Sequence, residues 1–255
     1  MPLRIAEVSD EAILLAGGAR AILLQLANPA VAAGVSRHSD FAARPLDRLH
    51  GTLTYLYVIV YGTPEEAARV AREVGAAHAP VRGEGPGPGE KYDARDPTLQ
   101  LWVAATLYDT AMRVRALVYG ELSADDAESL LADYAVIGTA LGLPRSAWPA
   151  SVAEFERYWA SVDLRVDAPA QAIAHELLHP TRPPLWLRAA LPAVRTVTAG
   201  LLTPALRAAY GLGFDERRYA RLVRFVRVVY PRLPRFIRHA PKRRYLAAFR
   251  RRLAG

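Results

Sequence analysis

The sequence has no cysteine and only two methionines, Met1 and Met112. The absence of thiols excludes disulfides, a thiolate nucleophile, an iron–sulfur cluster, a zinc ribbon and a thiolate-ligated haem. With so few methionines, we do not expect a thioether ligand either. A metal-binding site in this chain would therefore draw on the six histidines, the carboxylates or the tyrosines.

Acidic residues are missing from the C-terminal part of the chain. Residues 217–255 hold 14 basic side chains and no acidic one, whereas residues 1–216 carry a net charge of −6. The overall charge of +8 therefore hides an acidic body and a very basic segment at 215–255. Of the 255 residues 52% are hydrophobic and 23% charged, which excludes intrinsic disorder and allows a large core.

Long uninterrupted apolar runs are also missing. The N-terminus shows neither a basic stretch nor an apolar core of a secretory signal. The most apolar later stretch, 185–206, is interrupted by Arg188 and Arg195. We therefore expect a soluble protein located in the cytoplasm.

Helical periodicity dominates the chain, and it predicts an all-α fold in a single domain over 1–255. Asp10, Thr63, Asp96 and Ser123 are the expected N-caps. The loop at 83–89 is expected to be mobile and without regular structure, because it alternates glycine with proline and glutamate. The predicted helices cover 11–26, 45–61, 64–78, 97–119, 124–141, 151–161, 168–179, 185–197, 199–210, 215–229 and 240–253.

His175, Glu176 and His179 form an H-E-x-x-H motif on a predicted helix. Histidines at i and i+4 can chelate zinc while the intervening glutamate acts as a general base. A catalytic zinc needs a third protein ligand, and no acidic residue follows until Asp215. The motif leaves two interpretations, a zinc-dependent hydrolase or a polar end of an ordinary helix.

Arg48 and Thr52 lie four residues apart on one predicted helix, so they share a face and can serve one pocket. His78 ends the next helix among Ala76, Ala77 and Ala79, whose small side chains leave room beside the imidazole for a flat macrocycle. From the residues alone, His78 can be either a structural histidine or a metal ligand.

Several ordered motifs resemble one known family. They comprise residues 20–35, His38-Ser39 with Phe41, the Arg48-x3-Thr52 pair, Gly62, His78-x2-Val81, Tyr92 to Pro97, and Trp102 to Leu107. Together they resemble the DUF2236 family, which includes the MpaB-type and rubber-oxygenase (latex clearing protein) catalytic domains. The resemblance covers residues from about 10 to 210.

The resemblance implies an all-α fold that encloses a pocket for b-type haem. His78 would be the axial iron ligand, and Arg48 and Thr52 would lie in the haem pocket near dioxygen or the propionates. Members of the family cleave carbon–carbon double bonds of isoprenoid chains with dioxygen. We therefore expect a haem-dependent oxygenase or related oxidoreductase that acts on an apolar small molecule.

The sequence departs from the rubber oxygenases at three places. Gly51 stands where they have a lysine, residues 28–35 contain no acid where they have a glutamate, and Ala104 replaces a histidine of many relatives. Haem binding therefore carries over better than rubber cleavage, and the substrate stays open.

The basic segment at 215–255 includes an amphipathic helix with arginines on one face. This helix is interpreted either as the solvated face of packed helices or as a peripheral contact with an anionic membrane. If membrane contact were the only function of the chain, the protein would be a non-catalytic membrane-associating protein. We expect no nucleic-acid partner, because no DNA-binding or RNA-binding module is recognisable.

Overall fold

The computed structural model describes residues 1–38, 45–85, 87 and 91–254, and for residues 45–48 it describes the backbone only. These residues form fourteen α-helices, three short 3₁₀ helices and one two-stranded hairpin, so the all-α prediction is confirmed. Among them, no single helix is both long and apolar enough to cross a membrane. One pair, 12–26 with 29–38, meets the length and composition criteria only jointly and is bent by 106°.

Of the first seven α-helices, all except the first build walls of the internal cavity described below. These seven helices are α1 Ile5–Val8, α2 Gly18–Leu26, α3 Pro29–His38, α4 Pro45–Tyr61, α5 Pro64–His78, α6 Pro97–Tyr119 and α7 Ala124–Thr139. A 3₁₀ helix, Ala12–Gly17, precedes α2. Strands β1 Arg82–Glu84 and β2 Lys91–Asp93 pair antiparallel between α5 and α6.

The second half of the chain continues with shorter helices. They are α8 Val152–Ser161, α9 Ala168–Leu178, α10 Leu185–Leu201, α11 Pro204–Ala209, α12 Glu216–Val229, α13 Arg235–Arg238 and α14 Ala240–Ala254, with 3₁₀ helices Arg145–Ala147 and Tyr230–Arg232. The helices α8, α9, α12 and α14 match their predicted bounds within two residues. The break expected near residue 198 lies instead at Leu202, where Thr203 caps α11.

Side-chain caps explain where the central helices begin. The Thr63 hydroxyl accepts a hydrogen bond from the Glu66 backbone N–H, and the Glu66 carboxylate accepts one from the Thr63 backbone N–H, which makes a capping box. Asp96 and Ser123 cap α6 and α7 in the predicted way. Pro45–Tyr61 is helical as predicted, although the run Val-Ile-Val at 58–60 consists of β-branched residues that favour strands.

Three predictions near the cavity are wrong. Residues 11–26 do not form one α-helix, because the 3₁₀ helix ends at Gly17 before α2 begins. Asp10 is not an N-cap, because Glu11 holds that position before the 3₁₀ helix, and the Asp10 carboxylate instead accepts a hydrogen bond from Lys242 Nζ at 2.8 Å. Gly83 and Glu84 belong to β1 and not to an irregular loop, and Pro86, Pro88 and Gly89 lie outside the described residues.

Helix α6 runs between two hydrophobic clusters. Its Trp102 packs with α2, α3 and α9, whereas its Ala105 and Tyr108 pack with α4, α7, α8 and α14. Tyr158 and Trp159 contact both clusters, so the described helices share continuous packing. The cavity lies beside α6, between α2 and α3 on one side and α4 and α7 on the other.

Candidate cofactor and substrate cavity

The helices enclose a cavity of about 510 Å³. Its walls come from the 3₁₀ helix Ala12–Gly17, from α2 to α7 and from the hairpin, and most of the lining is aliphatic or aromatic. Pockets of this size and character are typical of sites for small molecules and cofactors. The apolar lining includes Leu53, Leu56, Val60, Val74, Val103 and Leu107.

Two of the three predicted site residues line this cavity. Thr52 reaches it from the middle of α4, and His78 reaches it from the last residue of α5. Both are partly buried. The third residue, Arg48, lies on α4 one turn before Thr52, but its side chain is outside the described residues.

His38 is a second imidazole at the cavity that the sequence analysis did not identify as a site residue. It ends α3, and its Nε2 lies 3.0 Å from the hydroxyl oxygen of Tyr92. The two rings meet edge to face at 5.9 Å between centroids. The sequence feature that could have identified His38 is its position in a motif of the family resemblance. Its contact with Tyr92 could not be predicted, because the two residues are 54 positions apart in the chain.

The hairpin explains why Tyr92 occupies this position. Tyr92 is 4% exposed and pairs with Gly83 across the two strands. A Cβ on Gly83 would lie 2.7 Å from the Tyr92 hydroxyl, so only glycine fits beneath the ring. A Cβ on Gly34 of α3 would lie 3.4 Å from Cδ2 of the same ring.

A polar network supports the cavity wall between α2 and α6. Gln25, which lines the cavity, donates to Thr106 Oγ1 at 3.1 Å. Arg20 donates to Thr110 Oγ1 at 2.6 Å and forms a 2.6 Å ion pair with Asp109. Burial lowers the pKa of Arg20, while the Asp109 carboxylate opposes that shift. This network fixes α2 against α6 through buried, paired charges.

Tyrosines supply most of the remaining polar atoms on the α4 and α7 side. Burial raises the pKa of Tyr134 to about 12, and Ser9 hydrogen-bonds the same hydroxyl. Burial also raises the pKa of Tyr55 and Tyr57. These phenols are therefore neutral at physiological pH and add no negative charge to this wall of the cavity.

The H-E-x-x-H motif lies away from the cavity. His175 and His179 stack at 4.9 Å between ring centroids on the exposed end of α9. The described residues bring no third histidine, aspartate or glutamate ligand atom within 4.8 Å of both rings. Burial lowers the pKa of His179, with further contributions from Arg195 and His175. The arrangement fits the helix-end interpretation of the motif.

One cluster of potential metal ligands occurs among the described residues, formed by Asp10, Glu11 and His239. Lys242 Nζ lies 2.8 Å from Asp10, and an Arg238 guanidinium nitrogen lies 2.6 Å from Glu11. Because these cations already neutralise both carboxylates, the cluster serves as an anchor for the C-terminal helices.

The internal cavity of this all-α protein is largely apolar and presents imidazole and hydroxyl groups. These features are typical of proteins that bind small molecules. The chain belongs to the family described as "ER-bound oxygenase mpaB/B'/Rubber oxygenase, catalytic domain", whose model matches residues 6–228. The domain is therefore of an oxygenase type. Residues 229–254 lie beyond the matched range.

Two mycobacterial proteins are similar over most of their length. The uncharacterized proteins Mb2261 of Mycobacterium bovis and Rv2237 of Mycobacterium tuberculosis are each 34% identical over 207 residues. The match covers 78% of this chain and 81% of each relative. No solved structure matches the chain significantly.

Proposed function

We propose that this protein is a haem b-dependent oxygenase or related oxidoreductase that uses dioxygen on an apolar small molecule, with alkenes and isoprenoids as the leading substrate class. The observation that carries the proposal is that Thr52 and His78 both line one largely apolar cavity in a chain of this oxygenase family.

The donor set fits a haem. The chain contains no cysteine, and the two imidazoles at the cavity, His78 and His38, are suitable nitrogen donors to iron. We assign the iron ligand to His78, the cavity histidine that the family resemblance places in this role, with Arg48 and Thr52 as the polar groups of the pocket. Bound haem would supply the activation of dioxygen.

The protein's own residues bind and orient the substrate and keep water out. The aliphatic side chains of α4 and α6 favour an apolar substrate and disfavour a charged one. The Thr52 hydroxyl can donate one hydrogen bond inside this apolar space, where such a bond is stronger than in water. In our proposal the Arg48 guanidinium supplies the second donor and a positive charge.

The ligand assignment is tested by three histidine variants. We expect His78→Ala to lose haem, measured by absorption and the pyridine haemochrome assay. His175→Ala, an exposed histidine on α9, should keep one haem per chain. If His78→Ala retains a full complement of haem with an unchanged spectrum while His38→Ala loses it, the ligand is His38 and the assignment is wrong.

The roles of Thr52 and Arg48 are tested by a separate pair of variants. We expect Thr52→Ala and Arg48→Ala to fold and to bind haem. Each should slow oxygen consumption in the presence of an apolar alkene by about 100- to 1,000-fold, the range for loss of one preorganised donor. Thr54→Ala is the matched control, because the Thr54 hydroxyl donates to the His50 backbone carbonyl and is absent from the cavity lining. Full activity in both site variants would contradict these roles.

A further inference from the structure

The C-terminal part of the molecule exposes large apolar side chains at the end of α12 and on α13. Phe225 and Phe236 are 63% and 61% exposed, although most phenylalanines in soluble proteins are buried. Three aliphatic residues accompany them: Val228, Val229 and Ile237. We call these five side chains the apolar ridge.

Arginines flank the residues of the apolar ridge in the sequence. On α12, Arg217 and Arg221 precede Phe225 and Val229 in one row of i, i+4 neighbours, so basic and apolar residues share one outer face. The opposite face of α12 packs against α6 and α10. No acidic residue follows Glu216 in the sequence, so nothing on this segment offsets the positive charge.

Two guanidinium groups hydrogen-bond the backbone of ridge residues. Arg232 donates to the backbone carbonyl of Val228, and Arg243 donates to that of Phe236. Arg238 forms an ion pair with Glu11, and Lys242 forms one with Asp10. These two pairs hold the C-terminal segment to the rest of the protein. Arg221, Arg224 and Arg235 form no ion pair with any described residue, and their charge faces solvent.

We propose that the apolar ridge and its arginines form a peripheral docking surface for anionic phospholipid membranes. Basic residues gain about 1 kcal/mol each near an anionic bilayer, and apolar side chains between them insert at the level of the headgroups. Exposed segment 217–238 contains no serine, threonine, asparagine or glutamine, the side chains that supplement arginine in contacts with nucleic acids. An aliphatic side chain such as that of Ile237 can contact lipid acyl chains in a bilayer, whereas the phosphate backbone of a nucleic acid offers it no apolar contact.

The position of α13 connects this surface with the cavity. α13 contacts the 3₁₀ helix Ala12–Gly17, whose Leu14 and Leu15 line the cavity, and Leu15 is 37% exposed. A membrane-dissolved apolar substrate would therefore meet the protein beside the cavity wall. This consequence rests on the proposed function, whereas the docking surface does not.

The test is sedimentation of the full-length protein with vesicles. We expect binding to vesicles of 70% phosphatidylcholine and 30% phosphatidylserine, weak binding to pure phosphatidylcholine, and release at 1 M salt, where the screening length falls to about 3 Å. The double variant Phe225→Ser, Phe236→Ser should bind at least about 10-fold more weakly. Replacing Arg221 and Arg224 by glutamine should cost about 5-fold for each charge on anionic vesicles only.

Matched controls lie elsewhere on the surface. Val136→Ser on α7 and Arg157→Gln on α8 replace exposed residues outside the ridge and should bind like the wild type. Circular dichroism should be unchanged in all variants, because the substituted side chains are exposed. Vesicle binding is independent of haem content, so a colourless protein would contradict the proposed function but leave this test intact.

Three results would overturn the membrane proposal. The first is wild-type protein that does not bind anionic vesicles, and the second is a phenylalanine double variant that binds as tightly as the wild type. The third is evidence that the surface binds a different partner. Such evidence would be duplex DNA that competes fully with the vesicles, or a dimer in solution that the phenylalanine substitutions dissociate.

Discussion

Gly17 lies where the 3₁₀ helix Ala12–Gly17 meets α6, and a Cβ there would come within 2.5 Å of Thr110 Cγ2 and 2.8 Å of Val114 Cγ2. We expect Gly17→Ala to lower the free energy of unfolding by about 1–3 kcal/mol, because the added methyl overpacks this junction. Gly75 in α5 is the matched control, since a Cβ there meets nothing within 4 Å. Gly75→Ala should stabilise the protein by about 0.5–1 kcal/mol in the same urea unfolding experiment. Equal effects of the two substitutions would contradict the close approach of the two helices.

A second prediction at the residue scale concerns the buried ion pair between Arg20 and Asp109. Arg20 is 3% exposed, so Asp109→Ala would leave its charge buried with only hydrogen-bonding partners. We expect a loss of about 3–5 kcal/mol in the free energy of unfolding. The exposed pair of Asp163 with Arg165 is the comparison, and Asp163→Ala should change stability by less than about 1 kcal/mol. A similarly small effect at Asp109 would mean that water reaches Arg20.

At the scale of elements, α14 is a helix beyond the matched family range that packs on α4, the helix of Thr52. Phe249 is 2% exposed in the cluster around α4 and α6. Phe249→Ala should therefore cost about 3–5 kcal/mol of stability in urea unfolding. Leu253, 44% exposed one turn later, is the control, and Leu253→Ala should cost less than about 1 kcal/mol. If both variants unfold like the wild type, α14 does not pack stably on α4.

Two ion pairs also join α14 to α5, and they make this contact sensitive to acid. Hydrogen bonding from Arg250 holds the pKa of Glu66 below its usual 4.5. Burial tends to raise the pKa of Glu73, but hydrogen bonds from Arg69 and Arg252 outweigh it and lower the pKa. A carboxyl whose pKa is lower in the folded state stabilises the fold fully above its unfolded pKa, and this contribution is lost as the pH falls through the folded value.

We therefore expect the melting temperature to fall on acidification below about pH 4.5, and to fall less in Glu66→Gln, which has no carboxyl left to titrate at this position. Glu156→Gln on α8, where no described residue forms an ion pair with Glu156, should follow the wild-type pH profile. A Glu66→Gln profile that matches the wild type at every pH would show that this pair does not couple α14 to α5.

At the scale of the whole molecule, local signals predicted most of the longer helices, whereas tertiary packing decided which residues meet at the cavity. The bounds of α4 and α5 follow from Pro45, Thr63 and the helical period, which are local features. Helix α3 was not predicted, although Asn28 Oδ1 accepts hydrogen bonds from the backbone N–H groups of two residues in its first turn. The hairpin was not predicted either, because its pairing depends on the fit of Tyr92 over Gly83.

The cavity was only partly predictable for the same reason. Thr52 and His78 were named from their residue types and from the family resemblance, and they line one cavity. His38 reaches it through a contact with Tyr92, and Tyr134 reaches it from α7, more than 80 residues beyond Thr52 in the chain. Such long-range neighbours leave no periodic signal in a single sequence.

The most direct test of the haem-oxygenase proposal is the absorption spectrum of the wild-type protein purified from cells grown with excess haem precursor, combined with a pyridine haemochrome determination. We expect a red protein with the Soret band of histidine-ligated b haem and a stoichiometry of one haem per chain. A folded, colourless protein that takes up no haem even when haem is added in excess would contradict the claim that this cavity is a haem site.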